Sequence, residues 1–315
     1  VPKFKLTVVT PVFNEEQSIA HFHARTRKVL DALEEVESNI IFVLDRSIDN
    51  SLAVLRSIVA RDPLSKVIAL SSRFGHQISL LAGIENAVDA DGIVMMDSDL
   101  QHPPEIIPQL LAQFHTGVDV VYTIRSDTED VSRVRKVLGN LFYKFLGIIS
   151  HVPINANAAD FRFISRRVAY ALSTDFKERN MFLRGLISWM GFKQASVEYI
   201  AERRFAGESK YSIKRILKLA MAGILSFSTR PLQIGIVVGV AFSGLAFLYM
   251  IIAIIIYFVN SSLPSGWTTL VTLLLFFSGI QLMVMGIIGA YIGGIYEEVK
   301  GRPRYLIDEV ITHHE

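Results

Sequence analysis

Between Arg230 and Glu297 the chain has no Asp, Glu, Lys, Arg or His. A stretch that long without charge reads as membrane-spanning, whereas the residues before Arg230 carry charge throughout and read as an ordinary water-soluble domain. Cysteine is also absent. That excludes disulfides and thiolate metal sites, and it fits the cytosol. Neither sign of charge dominates: the net charge of +2 says little about partners, and no nucleic-acid partner is expected. Val1 to Lys5 leads straight into a strand, so no signal peptide is expected at this end. The 51% hydrophobic content of the 315 residues is therefore a local excess.

The first part alternates strand and helix signals. Leu6–Val12, Ile40–Leu44, Val67–Leu70, Ile93–Met96 and Val118–Tyr122 are short apolar, β-branched runs suited to strands buried on both faces. Helical patterns lie between them near Glu15–Glu34, Ser51–Ala60, Gln77–Val88 and Glu105–Phe114. Alternation of this kind predicts a Rossmann-like α/β domain over residues 1–211, with a mostly parallel sheet and helices on both sides. Ligands of such a sheet bind beyond its C-terminal strand ends. Polar clusters sit there: Pro11–Glu16, Asp45–Asp49 and Asp97–Gln101.

Two stretches are basic and apolar together. Arg133–Ser150 sets Arg133, Arg135, Lys136 and Lys144 among apolar residues, and Ser212–Ser228 does so with Lys214, Arg215 and Lys218. Helical spacing gives each an apolar face flanked by cations, as in a helix lying in the headgroup layer; the alternative is a helix packed on the domain with a solvated basic edge. Residues 212–230 are thus expected to form an interfacial amphipathic helix. Residues 231–296 are expected to form two transmembrane helices, about 234–259 and 267–294, broken at Asn260–Gly266. Basic residues lie on both outer flanks, with Lys300, Arg302 and Arg304 after the second helix, and none lies in the connecting loop. The positive-inside rule then places the catalytic domain and the tail 297–315 together in the cytosol. Gly235, Gly239 and Ser243, then Gly289 and Gly293, follow small-xxx-small spacing, which permits close helix contact within the hairpin or between subunits of a homo-oligomer.

Asp97-Ser98-Asp99 follows the apolar run Ile93–Met96. Two carboxylates two residues apart at a strand end point to the same side and would repel each other. A divalent cation removes that cost, and hard oxygen ligands suit Mg²⁺ or Mn²⁺. A metal held this way can also stabilise a diphosphate as a leaving group.

With Leu100-Gln101-His102-Pro103-Pro104-Glu105 following, Asp97–Glu105 resembles the DADLQ-PPE block of glycosyltransferase family 2, in the branch of dolichol-phosphate mannose synthase and bacterial bactoprenol glucosyltransferases. Thr10–Glu16 resembles that family's opening T-P-x-x-N-E-E. Further matches are Ser72–Gln77, Asp160-Phe161-Arg162, Phe182–Gly185, Arg204–Tyr211 and Tyr296–Pro303. The resemblance implies a GT-A catalytic domain, a cytosolic active site, a nucleotide-sugar donor and a polyprenyl phosphate acceptor in the lipid bilayer. It matches Pro11, Phe13, Glu15, Asp45 and Ser98 to the nucleotide-sugar site, and Asp97, Asp99 and Gln101 to the metal and diphosphate ligands. Arg125, Arg204 and Lys210 are suited to neutralising phosphate charge; the alternative for the last two is a solvated loop at the membrane surface.

Asp160 and Asp99 are the candidate catalytic acids. Asp160 has three readings: a general base, a group orienting sugar or acceptor, or a cap on a following helix. A phosphate monoester has a second pKa near ~6 and scarcely needs deprotonation, which favours orientation. The sequence departs from the family where D-D-G-S is replaced by Leu44-Asp45-Arg46-Ser47, where Ala159 precedes Asp160 in place of glycine, and where Ala290 and Gly294 replace Glu and Arg. The expected reaction is inverting transfer of one hexose, glucose from UDP-glucose, to undecaprenyl phosphate. Alternatives are a GDP-mannose-dependent enzyme acting on a dolichol-type phosphate and, from another class, a catalytically silent membrane-anchored binding protein. A processive synthase is disfavoured because Q-x-x-R-W is absent.

Overall fold

β-branched and aromatic residues build the first three strands, β1 (Phe4–Val12), β2 (Val36–Leu44) and β3 (Ser65–Leu70), each buried along most of its length. They belong to a computed structural model that describes residues 3–87, 89–126, 158–179, 181–200, 202, 230–260 and 266–313. The chain divides into two compact units. One comprises Val1–Gly147, Val152–Ile213 and Arg302–Glu315; the other comprises Ile148–His151 and Lys214–Gly301.

In the first unit the strands continue with β4 (Gly92–Met95), β5 (Val120–Ser126), β6 (Ala158–Ser165), β7 (Gln194–Ile200) and β8 (Ile307–Ile311). They form one eight-stranded sheet in the order β7-β5-β6-β4-β1-β2-β3-β8. The pairs β1–β2, β1–β4, β2–β3 and β5–β7 are parallel. β3–β8, β4–β6 and β5–β6 are antiparallel. The sheet is therefore mixed, where alternation along the chain predicts a mostly parallel one. The difference comes from β6 and β8, which lie beyond the alternating segment and make all three antiparallel pairs.

Helices cover both faces. α1 (Ile19–Asp31), α2 (Ser51–Val59) and α4 (Ile107–Phe114, entered by a 3₁₀ turn at Pro104–Ile106) pack on one side. α3 (His76–Glu85) and α5 (Arg166–Thr174) pack on the other. Even-numbered residues of the central strands, among them Val8, Phe42 and Val94, join Phe22, Leu55 and Leu110 in the core of the first side. On the second side α3 lies so close to β1 that a Cβ on Gly83 would sit 2.2 Å from Val9 Cγ1. A last short helix, α6 (Leu183–Trp189), precedes β7.

The second unit contains two long helices, α7 (Arg230–Asn260) and α8 (Trp267–Val299). Phe242 packs edge-on against Phe276 and Phe277 with ring centroids 5.6 Å apart in each pair. Among the described residues one stretch, Phe276–Val299, is long and apolar enough to cross a membrane, and Gly235–Tyr249 is a shorter apolar one. A Cβ at Gly235 would lie 3.5 Å from Val284 Cγ1, whereas a Cβ at Gly239, Gly289 or Gly293 would meet nothing within 4 Å among the described residues. Among the described residues the small-residue spacing therefore meets no close neighbour at those three positions. The basic stretches Arg133–Ser150 and Ser212–Ser228 lie outside the described residues.

Residues 297–315, expected as a tail, include both the end of α8 and the edge strand β8. Ile311 lies opposite Val67 and Val310 opposite Ile68. Arg56 bonds Glu309 at 2.7 Å, and Glu85 accepts from both Arg304 and Tyr305. With both side chains of the Arg304–Glu85 pair about one-sixth exposed, Glu85→Ala is expected to cost about 1–3 kcal/mol. The cost should appear as a lower thermal midpoint of the first unit, without loss of helix signal.

Candidate active site

The loops after β1, β2, β3 and β4 gather at one edge of the sheet, and side chain-to-backbone bonds join them. Asn14 N–H donates to Ser47 Oγ at 3.0 Å, and Ile48 N–H donates to Asn14 Oδ1 at 3.0 Å. Glu15 N–H reaches Ser51 Oγ at 2.9 Å. Asn14 has φ 54, a left-handed conformation that asparagine tolerates better than most residues. Glu15 also receives the Ser18 hydroxyl at 2.6 Å. Phe13 lies under the Arg73 guanidinium, 4.1 Å from ring centroid to Cζ. Pro11 sits beyond the β1–β4 ladder, which ends at Val9↔Met95, so its missing N–H removes no rung there.

Asp45, which the resemblance matches to the nucleotide-sugar site, is 4% exposed. Its two oxygens accept from Phe74 N–H at 2.8 Å and Gly75 N–H at 3.0 Å, fixing the loop before α3. Arg46, where the family has glycine, is exposed and donates to the Ser71 carbonyl at 2.9 Å. The change from D-D-G-S therefore puts a cation where the loops after β2 and β3 meet.

Asp97-Ser98-Asp99 follows β4. The middle residue turns inward: Ser98 is buried and its hydroxyl donates to the Pro11 carbonyl at 3.0 Å. Asp99 Oδ1 accepts from Gln101 N–H at 3.1 Å across Leu100, which has φ 63. A left-handed leucine is strained, and its burial holds it in place. Asp97 Oδ1 meets His76 Nε2 at 2.6 Å, and its own N–H donates to His102 Nδ1 at 3.0 Å. Burial alone would lower the His76 pKa, but the adjacent Asp97 carboxylate outweighs it and pushes the imidazole up to about 9. Gln77 sits between two demands, because its Oε1 accepts from Leu183 N–H while its amide nitrogen faces His76 Nδ1 at 3.2 Å. Full protonation of His76 would require that amide to turn.

Among the described residues no group of three or more His, Asp or Glu side chains is gathered around one point as a complete metal set. By their chemistry the donors suit a hard divalent ion: two carboxylates and the Gln101 carboxamide offer oxygen ligands, and Mg²⁺ and Mn²⁺ commonly complete such sets with water and substrate phosphate. Asp97 keeps 32% of its side chain exposed, so it is reachable from solvent.

Asp160 lies in β6. Met95 pairs with Arg162 in the antiparallel β4–β6 ladder, and continuing that register sets Asp160 opposite Asp97. Asp160 caps no helix; Ser165 caps α5, accepting the Val168 N–H at 3.4 Å. Arg184, from α6, binds both Asp160 oxygens, Nε to Oδ1 at 2.5 Å and Nη2 to Oδ2 at 2.7 Å. Burial would raise the Asp160 pKa, but Arg184, with His76 and Arg162 behind it, holds this carboxyl well below the usual carboxylate range. Arg162 is itself 4% exposed, and burial pushes its pKa down to about 10.

Arg125 pairs in register with Tyr199 of β7. Burial pushes the Tyr199 phenol up to about 12, with Arg125 opposing and the charges of Asp97 and Asp99 adding to the rise. Tyr199 also packs edge-on against Phe161 and His102, whose rings stack with centroids 5.2 Å apart. Arg204 and Lys210 lie outside the described residues. His76 and Arg184 fall within the motif blocks Ser72–Gln77 and Phe182–Gly185, where a signal existed but no role was assigned. Tyr199 carried no sequence signal.

Comparison with known proteins bears on the family. Residues 7–172 match Glycosyl transferase family 2. The chain is 40% identical over 303 residues to the uncharacterized glycosyltransferase YkcC of Bacillus subtilis, covering 96% of this chain and 93% of the other. It is 36% identical over 306 residues to the prophage bactoprenol glucosyl transferase homolog of Escherichia coli, with 97% and 99% covered. To the bactoprenol glucosyl transferase of Shigella phage SfII it is 37% identical over 303 residues, with 96% and 97% covered. A mixed α/β sheet with an aspartate turn at its edge, and similarity running almost end to end, lead to one assignment: the chain is a glycosyltransferase and belongs to glycosyltransferase family 2.

Proposed function

We propose that the chain transfers one hexose, glucose from UDP-glucose, to a polyprenyl phosphate such as undecaprenyl phosphate, at the cytosolic face of a membrane and with inversion at the anomeric carbon. The observation that carries this reading is the antiparallel β4–β6 pairing, with Met95 opposite Arg162, beyond which Asp160 with its Arg184 clamp is close enough to Asp97 for the two charges to interact. A diphosphate end and an acceptor end then lie side by side. The names of the bactoprenol glucosyl transferases similar over nearly the full chain support the sugar and the lipid.

In this reading Phe13, Pro11, Glu15 and the Asp45-held loop cradle the nucleoside. Asp97, Asp99 and Gln101 would hold Mg²⁺ or Mn²⁺, and such an ion would supply charge neutralisation of the diphosphate leaving group. Arg125 lies toward the same charge. Asp160, fixed by Arg184, orients the sugar or the acceptor phosphate. The phosphate dianion forms the new bond to the anomeric carbon while the bond from that carbon to the UDP oxygen breaks, and no proton need be removed.

Membrane anchoring by both α7 and α8 is part of the proposal. Strand β8 follows α8 yet belongs to the same sheet as β1, so the chain entering α7 and leaving α8 must return to one side. An even number of crossings satisfies that, and the basic flanks make the shared side cytosolic. The full chain in detergent, given radiolabelled UDP-glucose and undecaprenyl phosphate, is expected to move label into the organic phase. Label moving only from GDP-mannose, or from neither donor, would overturn the assignment.

A further inference from the structure

We propose that Thr123 and Arg162 are positioning residues for Asp160, holding it on a bulge of β6 that no glycine supports. The proposal rests on the reading of Asp160 given above. Tyr122 of β5 pairs with Arg162 of β6, and the ladder resumes with Ile124 opposite Ala158. One residue of β5, Thr123, therefore stands against three of β6, Ala159, Asp160 and Phe161. A regular antiparallel ladder sets one residue against one, and extra residues of this kind bend a strand and re-aim its side chains. One common form of bulge depends on a left-handed glycine. Here Ala159 stands where glycine is common in the family, and none of Ala159, Asp160 and Phe161 has a positive φ. Side-chain hydrogen bonds hold the shape instead.

The two carbonyls that flank Asp160 in sequence each receive one. Thr123 is fully buried, and its hydroxyl donates to the Phe161 carbonyl at 2.8 Å. Arg162 Nη2 donates to the Ala159 carbonyl at 3.0 Å. A bulge disrupts the ladder, and the buried carbonyls it frees need such donors. A guanidinium is costly to bury at a strand position that an apolar side chain would fill without penalty. Arg162 offsets that cost through the Ala159 bond and through its field. Against the burial that would raise the Asp160 pKa, Arg162 adds its charge to those of Arg184 and His76. Phe161 is fixed from its other end as well, since its buried ring stacks on His102. With both neighbours held, Asp160 presents its two oxygens to Arg184.

The test is a mutant cycle on the full chain in detergent, with undecaprenyl phosphate as acceptor. The donor is UDP-glucose, or GDP-mannose should the parent use only that, so a wrong sugar fails apart from this inference. Thr123→Val keeps the branched shape and removes the hydroxyl, whereas Thr123→Ser keeps the hydroxyl. Thr123→Val is expected to lower the single-turnover rate about tenfold with the affinity for the free nucleoside diphosphate unchanged, because small misplacements of a reacting group cost up to about a hundredfold. Thr123→Ser should stay within about twofold of the parent, the usual margin for a neutral change. In an Asp160→Asn background Thr123→Val should cost less than about twofold, because a positioning effect disappears with the group it positions. An equal tenfold loss in both backgrounds overturns the proposal by showing that the hydroxyl serves the fold and not Asp160. A Thr123→Val enzyme as fast as the parent, beside a slow Asp160→Asn, defeats this inference alone. A parent inert with both donors, or an Asp160→Asn enzyme as fast as the parent, defeats the reading of the site and this inference with it. Should Thr123→Val fail to fold, Arg162→Lys, which keeps the charge and alters the bond to Ala159, goes through the same cycle and is judged by the same outcomes.

Discussion

Asp99→Asn is expected to lower kcat by about a thousandfold while leaving the fold intact. If the Asp97–Asp99 turn holds a divalent ion, that ion supplies several kcal/mol to the departing diphosphate, and each ~1.4 kcal/mol is a factor of ten in rate. Asparagine is the informative replacement because the site has a structural component as well. Asp99 Oδ1 accepts the Gln101 N–H and braces Leu100 at φ 63. A carboxamide oxygen preserves that bond and removes only the charge, whereas Asp99→Ala loses both and mixes a folding defect into the rate. EDTA should stop the parent enzyme, and Mg²⁺ or Mn²⁺ should restore it, with the melting curve of Asp99→Asn close to the parent's. Full turnover in chelator would end the metal assignment.

The second large effect concerns Asp160. A general base typically contributes ~10²–10⁴-fold and works best with a pKa near the working pH. Asp160 is bound at both oxygens by Arg184, and its pKa is held well below the carboxylate range, so it is a weak base. Asp160→Asn is therefore expected to cost no more than about a hundredfold in single-turnover rate, near the bottom of the general-base range. The sign of the pH dependence follows from the depressed pKa. The stability this group contributes is present above an unfolded carboxylate's pKa of ~3.9 and is lost only as pH falls below that. Between about pH 5 and 8 Asp160 stays ionised, and the rate should fall with acid along the acceptor's own second pKa near ~6. Parent and variant should share that midpoint. A loss beyond about a thousandfold, or a midpoint that disappears in the variant, would make Asp160 the base. Arg184→Ala should be more damaging to the fold than Asp160→Asn, because it leaves a largely buried carboxylate without its counter-charge, at a cost of about 3–5 kcal/mol.

The residues legible in the sequence were those whose meaning is local. A buried apolar run followed by Asp97-Ser98-Asp99 declares a strand end with two carboxylates, since side-chain alternation along a strand is a property of adjacent residues. The uncharged stretch between Arg230 and Glu297 likewise declares itself by composition. The ordered blocks from Thr10 to Pro303 sufficed to identify the family. What the tertiary structure decided depended on partners far apart in the chain. β6 enters antiparallel beside β4 with Arg162 opposite Met95, and that register carries Asp160 toward the strand end where Asp97 follows; a slip of one residue would have turned it to the other face. Arg184 reaches Asp160 from a separate helix, and His76 reaches Asp97 from the start of another. Asp45 and Ser98 read as ligand contacts from their motifs, and folding also placed backbone groups beside them, the N–H groups of Phe74 and Gly75 and the carbonyl of Pro11, which as buried polar groups need partners. The end of the chain shows the same limit most clearly: Ile307–Ile311 is an unremarkable five-residue run until the open edge of β3, more than 230 residues earlier, offers it hydrogen bonds.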